Sequence, residues 1–91
     1  MSPKREFTQQ DARRIGDALG INWTEVSLEE FRAGLGVEME HGTRDLETNV
    51  TNDDEILTGK IAFAHLKEYS DYYTRLAQLE KEADEYWASK Q

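Results

Sequence analysis

Apolar residues recur along the chain in four stretches spaced three and four apart, the spacing that places side chains on one face of an α-helix. In the first, Ala12, Ile15 and Leu19 follow Thr8, an N-cap residue, with Asp11 three positions on and Phe7 placed to staple onto Ala12. Gly20 is a natural stop, so a helix is predicted over 9–19. Ile21, Trp23 and Val26 then fold back onto the body. In the second stretch Ser27 caps, Glu30 stands at the third position of a capping box, and Val26 can staple onto Phe31. A helix from Leu28 to about His41 carries Leu28, Phe31, Leu35 and Met39 as its core stripe.

Gly34 and Gly36 sit inside that second helix, where each costs ~1 kcal/mol against alanine. Close approach of a neighbouring helix, at Gly59, explains them better than a kink does. Residues 42–51 are rich in turn formers and form the long loop of the chain. Asn52 or Asp53 caps the third helix, about 53–69, whose apolar arc takes in Ile56, Leu57, Gly59, Ile61, Ala62, Phe63, His65, Leu66 and Tyr69. So wide an arc requires neighbours on several sides, which puts this helix at the centre. Ser70 restarts the chain as an N-cap. The fourth helix, 71–89, has Tyr72, Leu76, Leu79, Ala83 and Tyr86 spaced four, three, four and three. That is also heptad spacing, over about two heptads, and packing against the same chain is favoured over a zipper, hence a monomer over a dimer through 71–89.

The fold class is therefore all-α, a bundle of about four helices in a single domain spanning 1–91, with residues 1–6 expected to fray. The net charge of −8 disfavours nucleic acid and anionic membrane surfaces as partners. No cysteine is present, so there is no disulfide framework and no thiolate chemistry. The longest apolar run, Ile61 to Ala64, is far short of a membrane span. Met1 to Arg5 does not lead into an apolar signal region, and a cytoplasmic location is the expectation.

Candidate chemistry gathers at the two histidines. Glu38-x-x-His41 and His65-x-x-Glu68 each place a carboxylate and an imidazole on one helical face, a spacing that carboxylate-bridged metal bundles use. In an antiparallel hairpin of the second and third helices, the imidazoles would lie ~18 Å apart at 1.5 Å per residue. They meet only if the loop carries the chain back so that the helices run parallel or cross. A half-site at the turn, from Glu38 and His41 with Asp45, Asp53 or Asp54, is easier to build. The competing structural roles are helix C-terminal capping for His41 and, for His65, a bond to Glu68, a tyrosine hydroxyl or a backbone carbonyl. No nucleophile in a recognisable setting, phosphate loop or dinucleotide fingerprint accompanies them, so no catalytic residue and no cofactor is assigned.

Four strings, Phe31 to Gly42, Thr48 to Asp54, Lys60 to Glu68 and Asp71 to Leu76, together resemble a family of small prokaryotic and phage-associated proteins that form a domain of unknown function. Its pattern joins a Val-Glu-x-Glu-His segment, a helix ending His-Leu-x-Glu, and Asp-Tyr-Tyr-x-x-Leu at the start of the last helix. Ser70 stands where relatives often carry proline. The resemblance implies a compact helical domain and marks Glu38, Glu40, His41, His65, Glu68, Tyr72 and Tyr73 as characteristic positions. It implies no activity. The functional expectation is a small acidic, non-enzymatic interaction or accessory module with a protein partner, and the alternative is a metal-binding protein using His41 or His65 with neighbouring carboxylates.

Overall fold

The computed structural model describes residues 6–44, 47, 49 and 54–90, the side chains of 41–44 excepted. Four helices form: α1 (Gln9–Ala18), α2 (Leu28–Arg44), α3 (Glu55–Glu68) and α4 (Tyr72–Ser89). They pack against one another as an all-α bundle, and the described residues contain no strand. No helix among them is long and apolar enough to cross a membrane.

Local signals set the ends of α1. Thr8 Oγ1 accepts from Asp11 N–H and Asp11 Oδ2 accepts from Thr8 N–H, both at 3.0 Å, a complete capping box. The Thr8 N–H bond is the main reason the Asp11 carboxyl titrates below its usual range. At the other end Gly20 takes φ +75°, and Ile21 N–H donates to the Gly16 carbonyl at 2.9 Å. This is a Schellman stop, and glycine adopts its left-handed residue without a Cβ clash. The turn drives Ile21 into the core and lays the Trp23 ring on Gly16, with Trp23 Nε1–H donating to Asp17 at 2.8 Å.

The core is built from the fully buried Ile15, Phe31 and Leu35, joined by Phe7, Ala12, Ile21, Met39, Ala62, Leu66 and Tyr73. Both α2 and α3 touch all three other helices, so the centre is a pair rather than α3 alone. Phe31 lies against Gly59 and Glu38 reaches His65, so the contacts advance in the same sense along both helices. The parallel or crossed arrangement, and not the antiparallel hairpin, is the one formed.

Several expectations need correction. The core-facing strip of α3 is Thr58, Gly59, Ala62 and Leu66, while Ile56, Leu57 and Tyr69 are exposed. Small residues let the neighbouring helices approach closely and leave the larger side chains of the arc at the rim. Asp54 caps α3, its carboxylate accepting from the N–H groups of Ile56 and Leu57 at 2.8 and 2.9 Å. The other proposed caps, Asn52 and Asp53, lie outside the described residues. α2 runs to Arg44, past the expected start of the loop at 42, because one glycine penalises a propagating helix without ending it. Finally, α4 packs on its own chain only through its first turns: Tyr73 is buried, Tyr72 and Leu76 are half-buried, and residues 77–90 are all exposed.

Candidate functional site

Glu30, Gly34 and Glu38 recur every four residues and form one stripe along α2. Tyr73, from the first turn of α4, is laid along that stripe from end to end. At one end the Glu30 carboxylate accepts from the backbone N–H of Tyr73 at 3.0 Å and of Thr74 at 3.2 Å, and from the Thr74 hydroxyl. In the middle, a Cβ added to Gly34 would stand 2.4 Å from Cε2 of the Tyr73 ring. At the other end Tyr73 Oη donates to Glu38 Oε2 at 2.7 Å.

This arrangement reassigns two residues. Glu30 lies where a capping box would turn its carboxylate back on α2, and Ser27 Oγ does accept from Glu30 N–H at 3.2 Å. The Glu30 carboxylate instead caps a different helix, forty-three residues on, and supplies negative charge at the positive end of α4. Asp71, not Ser70, occupies the N-cap position of α4, with no side-chain cap bond of its own. Gly34 owes its place to Tyr73 of α4; Gly59 meets Ile15 of α1, Leu19 at the C-cap of α1 and Phe31 of α2. Glu30→Gln keeps an acceptor but loses the charge. Its expected cost is ~1 kcal/mol, most of it recovered at high salt, as urea denaturation would measure.

His65 completes the group from α3. Its Nδ1 lies 2.9 Å from Glu38 Oε2 and 3.1 Å from Tyr73 Oη, and its ring stacks on Tyr72 with centroids 4.4 Å apart and planes 8° from parallel. Burial, then the bond to Glu38 and its charge, hold the Tyr73 hydroxyl far above the usual tyrosine range, so it stays protonated. Its single proton goes to Glu38. The tautomer that fits this network carries a proton on His65 Nδ1, directed at the same Glu38 oxygen, and leaves the lone pair on Nε2. The side chain of Glu38 is 10% exposed and that of His65 31%, so the cluster runs from the interior to the surface.

Of the four candidate residues, the structure brings together Glu38 and His65. Their bond was missed because each was paired with a neighbour on its own helix. Glu68 is exposed, and no hydrogen bond joins it to His65 among the described residues. The side chain of His41 lies outside the described residues, as do Asp45 and Asp53, so the half-site at the turn does too. No group of three or more His, Cys, Asp or Glu able to hold a metal is found among the described residues. Gly34 flanked by glutamates four residues away on either side was the available signal for Tyr73's slot.

No curated protein and no solved structure matches the chain. A family model does match, over residues 12–82, a span that takes in parts of all four helices together with Glu30, Gly34, Glu38, His65 and Tyr73. The chain belongs to that family, described as Protein of unknown function (DUF5661).

Proposed function

We propose that the protein is a non-enzymatic interaction module of the cytoplasm whose partner surface is the exposed face of α4. One observation carries this reading: beyond Leu76 the helix projects its heptad-spaced Leu79, Ala83 and Tyr86, with Trp87 beside them, into solvent. Leu79 is 61% exposed and Trp87 65%. Scattered apolar residues are normal on a surface, but a continuous stripe on a projecting helix is a feature of interaction sites. The Tyr73 cluster then acts as the fixture that holds α4 at a set angle. A photo-crosslinking residue in place of Trp87 is expected to give a protein adduct that Leu79→Asp abolishes, while the same residue in place of Arg13 on α1 gives none. Equal adducts from both positions, or none from α4, would dispose of this reading.

The Glu38–His65 bond favours a second reading, metal binding through His65 Nε2. A carboxylate behind Nδ1 orients a ligating imidazole and raises its basicity. Metal analysis of protein purified without chelator tests it: stoichiometric metal, lost in His65→Ala, is the result it requires.

A further inference from the structure

We propose that the break between α3 and α4 is a reversible hinge: with Tyr73 out of its slot, residues 69–71 become helical and the two helices join into one straight helix from Glu55 to Ser89. As a device that regulates the α4 surface it rests on the reading of that helix as the partner surface; the joining itself does not.

The first argument is that nothing local enforces the break. α1 ends on Gly20 at φ +75°, a stop written into the sequence, whereas no glycine or proline occurs from Lys60 to Gln91. Only Tyr69, Ser70 and Asp71 separate the two helices. All three are ordinary residues in a helix interior, and extending an existing helix escapes the cost of nucleation. Asp71 makes no side-chain cap bond to α4. The bend is held from α2 and α3: Glu30 accepts from the N–H groups of Tyr73 and Thr74, the Tyr73 ring lies on Gly34, and Tyr72 stacks on His65. In a continuous helix those two N–H groups would donate to the carbonyls of Tyr69 and Ser70, so Glu30 stands in for the missing turn.

The second argument is phase. Ala62, His65, Tyr69, Tyr72, Leu76, Leu79, Ala83 and Tyr86 are spaced alternately three and four, with no change of phase at the break. Two separate helices need share no register, whereas a single helix must. In the bent chain Tyr69, Leu79 and Tyr86 are exposed while Tyr72 and Leu76 are half-buried against the body. Tyr72 lies beside His65, with ring centroids 4.4 Å apart, although residues seven apart in a straight helix are separated by ~10 Å along its axis. Straightening lifts Tyr72 and Leu76 off the body and sets all five on one stripe. The apolar surface presented by α4 is thereby lengthened, and the Tyr73 slot governs when.

The chain has no cysteine, so Lys60→Cys with Glu85→Cys, both at exposed positions, supplies two spin-label sites. A straight helix sets their backbones ~38 Å apart at 1.5 Å per residue. Pulsed electron paramagnetic resonance is expected to give one shorter distance in the otherwise unmutated chain. Gly34→Leu, which fills the slot, and Tyr73→Ala, which vacates it, should each shift that distance to the straight-helix value. Ser70→Pro separates joining from mere detachment. Tyr72 N–H donates to the Tyr69 carbonyl at 3.1 Å across a turn in which Asp71 has φ −115°, ψ 31°, and Tyr69, at φ −144°, ψ 118°, has the conformation that precedes a proline. Proline therefore fits the bend and bars the straight helix, by removing the N–H that would bond to the Leu66 carbonyl. Added to Gly34→Leu, it is expected to abolish the ~38 Å distance.

Circular dichroism shows whether each variant keeps its helices. A folded slot variant that retains the short distance overturns the proposal. So does a broad distribution that Ser70→Pro leaves unchanged, because α4 would then come loose without joining α3. Loss of helical structure in both slot variants overturns it as well, since the bend and the body would be inseparable. Joined helices without partner adducts from α4 remove the regulatory role together with the partner-surface reading, and leave the hinge.

Discussion

Gly34→Leu is expected to release α4 from the body. A leucine there would occupy the space of the Tyr73 ring, whose carbon atoms would stand as close as 2.4 Å to an added Cβ. The ring cannot step aside, because its hydroxyl is held by Glu38 and its backbone by Glu30. Leucine gains ~1 kcal/mol of helix propensity over glycine. Against this stand ~2–3 kcal/mol of tyrosine burial and ~1–2 kcal/mol of hydrogen bonds. The net loss is about 3 kcal/mol, which for a domain of this size lowers Tm by roughly 12–24 °C. Thermal denaturation measures the loss, and a double-mutant cycle identifies its cause: with Tyr73→Ala already present, Gly34→Leu should cost little. An undiminished Tm in the single variant would mean that Tyr73 does not occupy this slot.

Glu38→Ala ranks next. It removes the acceptor for two donors at once, Tyr73 Oη–H and His65 Nδ1–H. Tyr73 is only 4% exposed, so water cannot easily replace the carboxylate at its hydroxyl. A buried donor left without an acceptor costs ~1–3 kcal/mol, and the lost histidine bond adds ~1, for about 2–4 kcal/mol in all. Glu38→Gln retains one carbonyl acceptor and should cost about 1 kcal/mol. Chemical denaturation of the two variants separates a need for an acceptor from mere packing. Equal losses in both would mean that Tyr73 and His65 do not depend on Glu38 as their acceptor. In a Tyr73→Phe background the alanine substitution should become milder, since the donor it strands is already gone.

What was legible in the chain was whatever acts within one turn of helix. Thr8 with Asp11, Ser27 with the N–H of Glu30, and the Gly20 stop all formed where their spacing placed them. So did the four helices, to within a few residues at their ends. Glu30 shows where such reasoning runs out. Its position satisfies a local capping rule, but a carboxylate can serve any helix terminus brought within reach, and the terminus of α4 arrives from forty-three residues away. His65 and Glu68 repeat the lesson, because a shared face on one helix permits a contact while Glu38, on another, makes it. The helices' relative direction is set by tertiary contacts, Phe31 against Gly59 and Glu38 against His65. The expectation that the α4 stripe packs against the same chain holds only through Leu76, because apolar spacing gives the face of a helix and not how far along it the neighbouring helices reach.

The attachment of α4 through a single buried side chain also bears on how such a protein can diverge. Every residue of α4 that the core needs lies at or before Leu76: Tyr72 against His65, Tyr73 in its slot, and Leu76 beside the core. From Ala77 to Lys90 every residue is exposed. Substitutions there can accumulate without the compensating changes a buried residue demands. Among relatives, the Glu30, Gly34, Glu38 and Tyr73 positions are expected to vary together or not at all, while the outer part of the helix is free to drift.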